Sequence, residues 1–247
     1  MVNSSLGVLT ASQRNRAWQI HPYPCLGQFR FLELNLSARG DLYDRLLLAL
    51  KTGGRFLDVG CCLGQDLRKL VHDGASASHL AGAELNDGFI RLGYELFRDD
   101  ERVGAERIRF VAANILDSPE ASPLSDCVGS MSVVQLGMIL HLFTWEEQLV
   151  VFQNTVRLLR ADKGVLIIGQ ASGSLNAGTS GRGHSPNRRT YRHNVESFER
   201  LVEEMSKLTG TTWKVKAELD TGLSIYDGKR TWDDPDTRRL LFEVERQ

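Results

Sequence analysis

Arg55-Phe-Leu-Asp-Val-Gly-Cys-Cys-Leu-Gly-Gln-Asp66 is the stretch from which the rest of the chain is read. Phe56, Leu57 and Val59 make a short apolar strand, Asp58 and Gly60 stand at its end, and Gly64 opens a helix. Leu63, Leu67, Leu70 and Val71 repeat at the i, i+4, i+7, i+8 spacing of a helix with one buried stripe. A glycine-bearing turn at the carboxyl end of a strand leaves bare backbone beside helix N–H groups, where a ligand can lie. The same pattern is also that of an unliganded strand-to-helix connection, so the neighbouring strands must decide.

They do so at their ends. Leu80-Ala-Gly-Ala-Glu-Leu85 is a second short apolar strand, and its acid, Glu84, follows Asp58 by 26 residues. In a βαβ unit that interval puts a carboxylate at the end of the adjacent strand, able to accept two hydrogen bonds from a ribose diol. A third strand, Ile108-Arg-Phe-Val-Ala-Ala-Asn-Ile115, ends in Asn114, with Asp117 close behind. The Asn114 side chain can meet the exocyclic amine of an adenine, and the Ile115 N–H a ring nitrogen. Three strand ends thus offer groups suited to an adenosine.

The chain of 247 residues is long enough for one substantial domain, or one domain with a small cap. A net charge of −1 and a balanced composition give no electrostatic case for nucleic acid or an anionic membrane. No apolar run approaches the ~20 residues of a membrane span, and the first residues lack the basic-then-apolar order of a secretory signal. Cys25, Cys61, Cys62 and Cys127 show no metal-ligand spacing. The expectation is a cytoplasmic protein with reduced thiols and no metal.

From Arg55 onward strands and helices alternate. After the strand near 55–60 comes a helix near 64–73; after the strand near 79–85, a helix carrying Phe89, Leu92, Leu96 and Phe97. The strand at 108–115 leads through Ser118 to Pro123 into a fourth strand near 130–135. Thr144-Trp-Glu-Glu147 has the form of a capping box and starts a helix running to about Arg160. Val165-Leu-Ile-Ile-Gly169 is apolar throughout, as a central parallel strand is. The segment from Ala171 to Tyr191 reads as a loop long enough to be a lid. Asn194 caps a further helix that ends at Gly210. Trp213–Leu219 and Arg239–Glu245 read as strands with only a loop between them, so they pair antiparallel at the sheet edge. The expected fold is α/β, a doubly wound seven-stranded sheet, parallel except for a C-terminal antiparallel hairpin. Before it lies an N-terminal segment with a helix at 41–50.

Those strands and strand ends resemble the class I S-adenosylmethionine-dependent methyltransferases, a Rossmann-like fold, over roughly residues 50 to 245. Asp58, Gly60 and Gly64 match the acid and outer glycines of the first motif, with Cys62 in place of the middle glycine. A narrower resemblance is carried by Tyr23-Pro-Cys-Leu-Gly-Gln-Phe-Arg-Phe-Leu32, Leu57–Arg68, Ile139–Trp145 with Gln148, and Tyr191-Arg-His-Asn194. These look like fungal methyltransferases of secondary metabolism, notably of meroterpenoid pathways, which turn a carboxylic acid into its methyl ester. In that group the fourth strand usually shows Asp and then His-Ala-Ser, where this chain has Ser132 and Gln135-Leu136-Gly137.

The resemblance implies S-adenosyl-L-methionine as cofactor, S-adenosyl-L-homocysteine as product, a small-molecule acceptor and a homodimer. It divides the single domain into a cap segment (1–52), a cofactor-binding core (53–173) and a lid loop, helix and hairpin (174–247). The cofactor-binding candidates are Asp58, Gly60, Cys62, Gly64, Gln65, Asp66, Glu84, Leu85, Asn114 and Ile115. Gln65 and Asp66, in the first helical turn, suit the methionine amine, though helix capping accounts for them equally. Tyr23, Phe29, Arg30, Gln135, Gln170 and His193 are the acceptor-side candidates, with Tyr23 and Phe29 as an apolar roof.

His141 follows the fourth strand and is read either as a cavity residue that orients or deprotonates the acceptor, or as packing at a turn. A carboxylate acceptor, with a pKa of about 4–5, needs no base, whereas a phenol of pKa about 10 does. The alternatives are therefore a phenol O-methyltransferase with His141 as base, and a cyclase or pericyclase that only binds the cofactor.

Overall fold

The computed structural model describes residues 11–23, 26, 34–99, 107–180, 189–220 and 234–247. Its helices are α1 (Ala11–Ile20), α2 (Asp41–Lys51), α3 (Gln65–His72), α4 (Asp87–Phe97), α5 (Trp145–Leu158) and α6 (Val195–Thr209). Its strands are β1 (Phe56–Val59), β2 (Leu80–Glu84), β3 (Arg109–Ala112), β4 (Val133–Gly137), β5 (Leu166–Ser174), β6 (Gly178–Ser180), β7 (Thr190–Arg192), β8 (Trp213–Asp220) and β9 (Thr237–Arg246). Seven strands form one sheet in the order β3-β2-β1-β4-β5-β9-β8, while β6 and β7 pair separately. The β1–β4, β2–β3 and β4–β5 pairs are parallel; β5–β9 and β8–β9 are antiparallel. This is the expected seven-stranded α/β fold with its antiparallel end. Among the described residues no helix is long and apolar enough to cross a membrane.

The chain packs as two compact units, Met1–Arg55 with Cys61–Asn114, and Phe56–Gly60 with Ile115–Gln247. In the first, every residue of β2 is buried, and Leu67 and Leu70 of α3 are buried with it. A cluster of Ala17, Leu26, Leu63, Phe89, Leu92 and Leu96 joins α1 to α4, and Arg16 pairs with Glu95 at its rim. The helix α1 escaped the sequence reading because its residues show no apolar period and only Ala17 among its described side chains is buried. In the second unit β1 is buried along its length. Along β8 burial alternates through Trp213, Lys214, Val215 and Lys216, as it does on a strand with one wet face.

Strand limits moved where backbone groups are spent elsewhere. The fourth strand runs Val133–Gly137 and not 130–135, because Ser130 and Met131 give their N–H groups to the Leu158 carbonyl. The fifth strand continues to Ser174, paired residue for residue with β9, so it takes the first residues of the expected lid. Gly178–Ser180 and Thr190–Arg192 then pair as β6 and β7, and 181–188 lie outside the described residues.

A buried polar junction ties β7 to both long helices of the second unit. Gln148 is wholly buried, and its amide N–H groups go to the carbonyls of Phe143 (3.3 Å) and Tyr191 (3.0 Å). Its carbonyl therefore faces His193 Nε2 at 2.7 Å and must accept, so the imidazole proton sits on Nε2. Nδ1 then accepts from the Ser197 hydroxyl at 2.9 Å. With both ring nitrogens engaged and only 2% of the residue exposed, His193 is a clamp rather than a substrate contact. Burial pushes its pKa down from 6.5 to about 4. The unfolded chain takes up the proton first as pH falls, so this junction's stability is complete above pH 6.5 and declines toward pH 4. Urea unfolding should lose up to about 3 kcal/mol over that window, a slope that a His193→Gln variant lacks.

Candidate functional site

The turn after β1 and the strand end at Glu84 carry the first group of candidate residues. Gly60, Cys62 and Gly64 all have positive φ, at 76°, 52° and 70°. The alternation of glycines expected in such a turn is thus a backbone requirement, and Cys62 meets it at a cost of about 1 kcal/mol. At Gly60 a Cβ would lie 2.4 Å from the Ile139 side chain; at Gly64 it would lie 2.6 Å from the Phe110 ring. Both positions exclude any side chain.

Glu84, at the end of β2, holds this turn. Its carboxylate accepts the N–H of Cys62 at 3.0 Å and that of Asn86 at 3.2 Å. Burial pushes the Glu84 carboxyl above its usual range, against the pull of the N–H donors of Asn86, Cys62 and Leu85. Two oxygens carry about four lone-pair sites, so acceptor capacity remains for a diol. Arg68 braces the same turn from α3. It donates to the carbonyls of Leu63 (2.6 Å) and Gly64 (3.3 Å) and forks onto Asp99 at 2.6 and 2.9 Å. Its guanidinium also lies 4.5 Å from the Phe97 ring centre.

A cavity of about 360 Å³ opens beside Glu84, lined by His21, Tyr23, Glu84, Leu85, Asn86, Asp87, Phe89 and Ala112. Leu85 is 68% exposed, an apolar side chain left uncovered at a strand end. Gln65 and Asp66 occupy the first turn of α3, and the buried Oε1 of Gln65 has no donor among the described residues. Asn114 follows β3 after Ala113, whose N–H is held by the Glu84 carbonyl at 2.9 Å.

The second unit holds the remaining candidates. Asp58 and Gln135 are register partners on β1 and β4, and the Gln135 amide donates to Asp58 at 3.2 Å, both side chains buried. The Ile115 carbonyl is fixed by the Asn154 amide at 2.8 Å. Gln170, half-buried on β5, accepts the Met138 N–H through its carbonyl at 2.7 Å. His141 lies in the 3-10 turn Leu140–Leu142, and its Nδ1 accepts the Ser172 N–H at 3.3 Å. Phe29 and Arg30 lie outside the described residues.

A family profile described as "Meroterpenoid methyltransferase N-terminal domain" matches residues 10–32. The O-methyltransferase phiE of Fungal sp. (strain ATCC 74256) is 36% identical over 94% of this chain and 80% of its own length. The chain belongs to the fungal O-methyltransferases. A second member, the O-methyltransferase atr3 of Stereocaulon alpinum, is 40% identical over 94% of this methyltransferase and 65% of its own length. In fold, the methyltransferase is similar to the magnesium protoporphyrin IX methyltransferase of Synechocystis PCC 6803 with bound SAM. That likeness has a TM-score of 0.54 at 14% identity, covering 97% of this chain and 93% of the other. The chain is accordingly a methyltransferase of that fungal O-methyltransferase family, with the fold of an enzyme solved with bound SAM.

The residues of this methyltransferase fit that cofactor. The cavity beside a buried acid suits a ribose, and the partnerless Gln65 carbonyl suits the amine of a methionine moiety. Two residues of the first unit went unread in the sequence: His21, which lines the cavity with Glu84, and Arg68, whose ion pair with Asp99 joins positions 31 apart. Neither link follows from a local pattern.

Two substitutions check this arrangement. Glu84→Gln leaves one backbone donor facing an amide N–H, and S-adenosylhomocysteine affinity should fall about 10- to 100-fold by calorimetry. Cys62→Gly keeps the N–H and removes the left-handed strain, so its affinity should stay within about threefold of wild type.

Proposed function

We propose that this O-methyltransferase converts a carboxylic acid of a small, terpenoid-like secondary metabolite into its methyl ester. The observation that supports this reading is the hydrogen bond at His141. A backbone N–H can only donate, so the Nδ1 facing Ser172 is unprotonated and the neutral imidazole carries its proton on Nε2. In that tautomer Nε2 can only donate. A phenol or alcohol needs its proton removed, and an Nε2 already protonated cannot take it. A carboxylate is ionised at neutral pH and needs only to be held.

When bound, S-adenosylmethionine would supply a methyl carbon activated by its sulfonium, open to in-line attack by an acceptor oxygen with S-adenosylhomocysteine as the leaving group. The chain's own share is alignment and exclusion of water. Asp58, Gly60, Cys62, Gly64, Gln65, Asp66, Glu84, Leu85, Asn114 and Ile115 are proposed to hold the cofactor. Gln135 keeps Asp58 in place, while Gln170 and His141 are proposed to face the acceptor. The terpenoid class is favoured by the profile matched at residues 10–32.

Incubation with S-adenosylmethionine labelled in its methyl group and a panel of terpenoid acids, phenols and alcohols tests the reading. The expected result is label in a base-labile ester. Label in a base-stable ether, or turnover without label, overturns it. His141→Ala should lower kcat/KM about tenfold, the value of one lost hydrogen bond, and not the roughly 10²–10⁴-fold of a lost general base.

A further inference from the structure

We propose that His21 and Tyr23 wall the nucleoside end of the cofactor cavity, so that the N-terminal segment is part of the cofactor site. The proposal rests on the S-adenosylmethionine reading of that cavity and adds residues that reading did not assign. His21 and Tyr23 follow α1 directly and line the same cavity as Glu84 and Leu85. Their rings stack with centroids 4.2 Å apart and planes inclined by 26°. Tyr23 is backed in turn by Phe89 of α4, at 5.9 Å.

Each component has a reason to be there. Phe89 is buried in the cluster that also holds Ala17 and Leu26, so the same packing that docks α1 sets the position of the two rings. His21 itself is exposed, so core packing does not account for its place. Its charge, when present, favours the ionised form of Glu84, the acid proposed for the ribose. Leu85, an exposed apolar side chain, lines the same cavity. An aromatic pair, an uncovered leucine and a buried acid around one cavity match a nucleoside: flat, apolar faces with a diol at one edge. The family profile covers residues 10–32, the span containing both rings. Tyr23 thereby moves from the acceptor side to the cofactor side.

Calorimetry with S-adenosylhomocysteine is the first test. His21→Ala and Tyr23→Ala should each raise Kd about tenfold with an unchanged melting temperature in the absence of ligand, and Tyr23→Phe should bind as wild type. The second test needs no variant. Diethylpyrocarbonate modification of His21, read by mass spectrometry, should slow severalfold when S-adenosylhomocysteine saturates the protein, while the exposed His72 is unaffected. Wild-type protein that binds no S-adenosylhomocysteine overturns the cofactor reading itself. Wild-type binding with undiminished affinity in both alanine variants, or with His21 unprotected, overturns the wall alone.

Discussion

One carboxylate sets the geometry of the turn that follows β1. Glu84 receives two backbone N–H groups, one from the left-handed turn at Cys62 and one from the start of the next helix at Asn86. A backbone running through three positive-φ residues in five presents N–H groups that no regular ladder satisfies. A buried acid is the side chain able to accept several such donors at once, and those donors offset part of its own desolvation. The residue proposed to bind a ribose is therefore also what shapes the turn beside it.

Steric exclusion completes the constraint. Gly60 and Gly64 are closed to side chains by Ile139 and Phe110, whereas Cys62 packs its thiol against the Leu63–Phe89 cluster and tolerates its conformation. Arg68 gives the turn a second anchor through the Leu63 and Gly64 carbonyls, and it stays in place because Asp99 and the Phe97 ring hold its guanidinium. Arginine suits this position because its planar fork meets carbonyls and a carboxylate together.

The second unit uses neutral buried polar groups for the same purpose. Gln148, His193 and Ser197 satisfy one another in sequence, and Asn154 fixes the Ile115 and Asp117 carbonyls. Because each member has one arrangement of donors and acceptors, the tautomer of His193 is determined, and burial keeps the ring neutral. The same logic at Ser172 determines where the proton of a neutral His141 lies.

Much of this was legible in the sequence wherever the signal was local. The strand-turn-helix at Arg55–Asp66, the acid at Glu84, the capping box at Thr144, the Asn194 cap with its Gly210 stop and the antiparallel end were readable because period, caps and turn residues act over a few neighbours. The end of β5, the start of β4 and the helix α1 were not, since each depends on a partner far along the chain: β9, the Leu158 carbonyl and the α4 cluster. By itself the sequence determined the fold class and the glycine-bearing turn that follows β1. Tertiary structure alone decided that Cys62 occupies a left-handed position, that His193 is buried, that the His141 proton lies on Nε2, and that His21 stands beside Glu84. Those are matters of hydrogen-bond direction and packing between distant segments, and no local pattern encodes them.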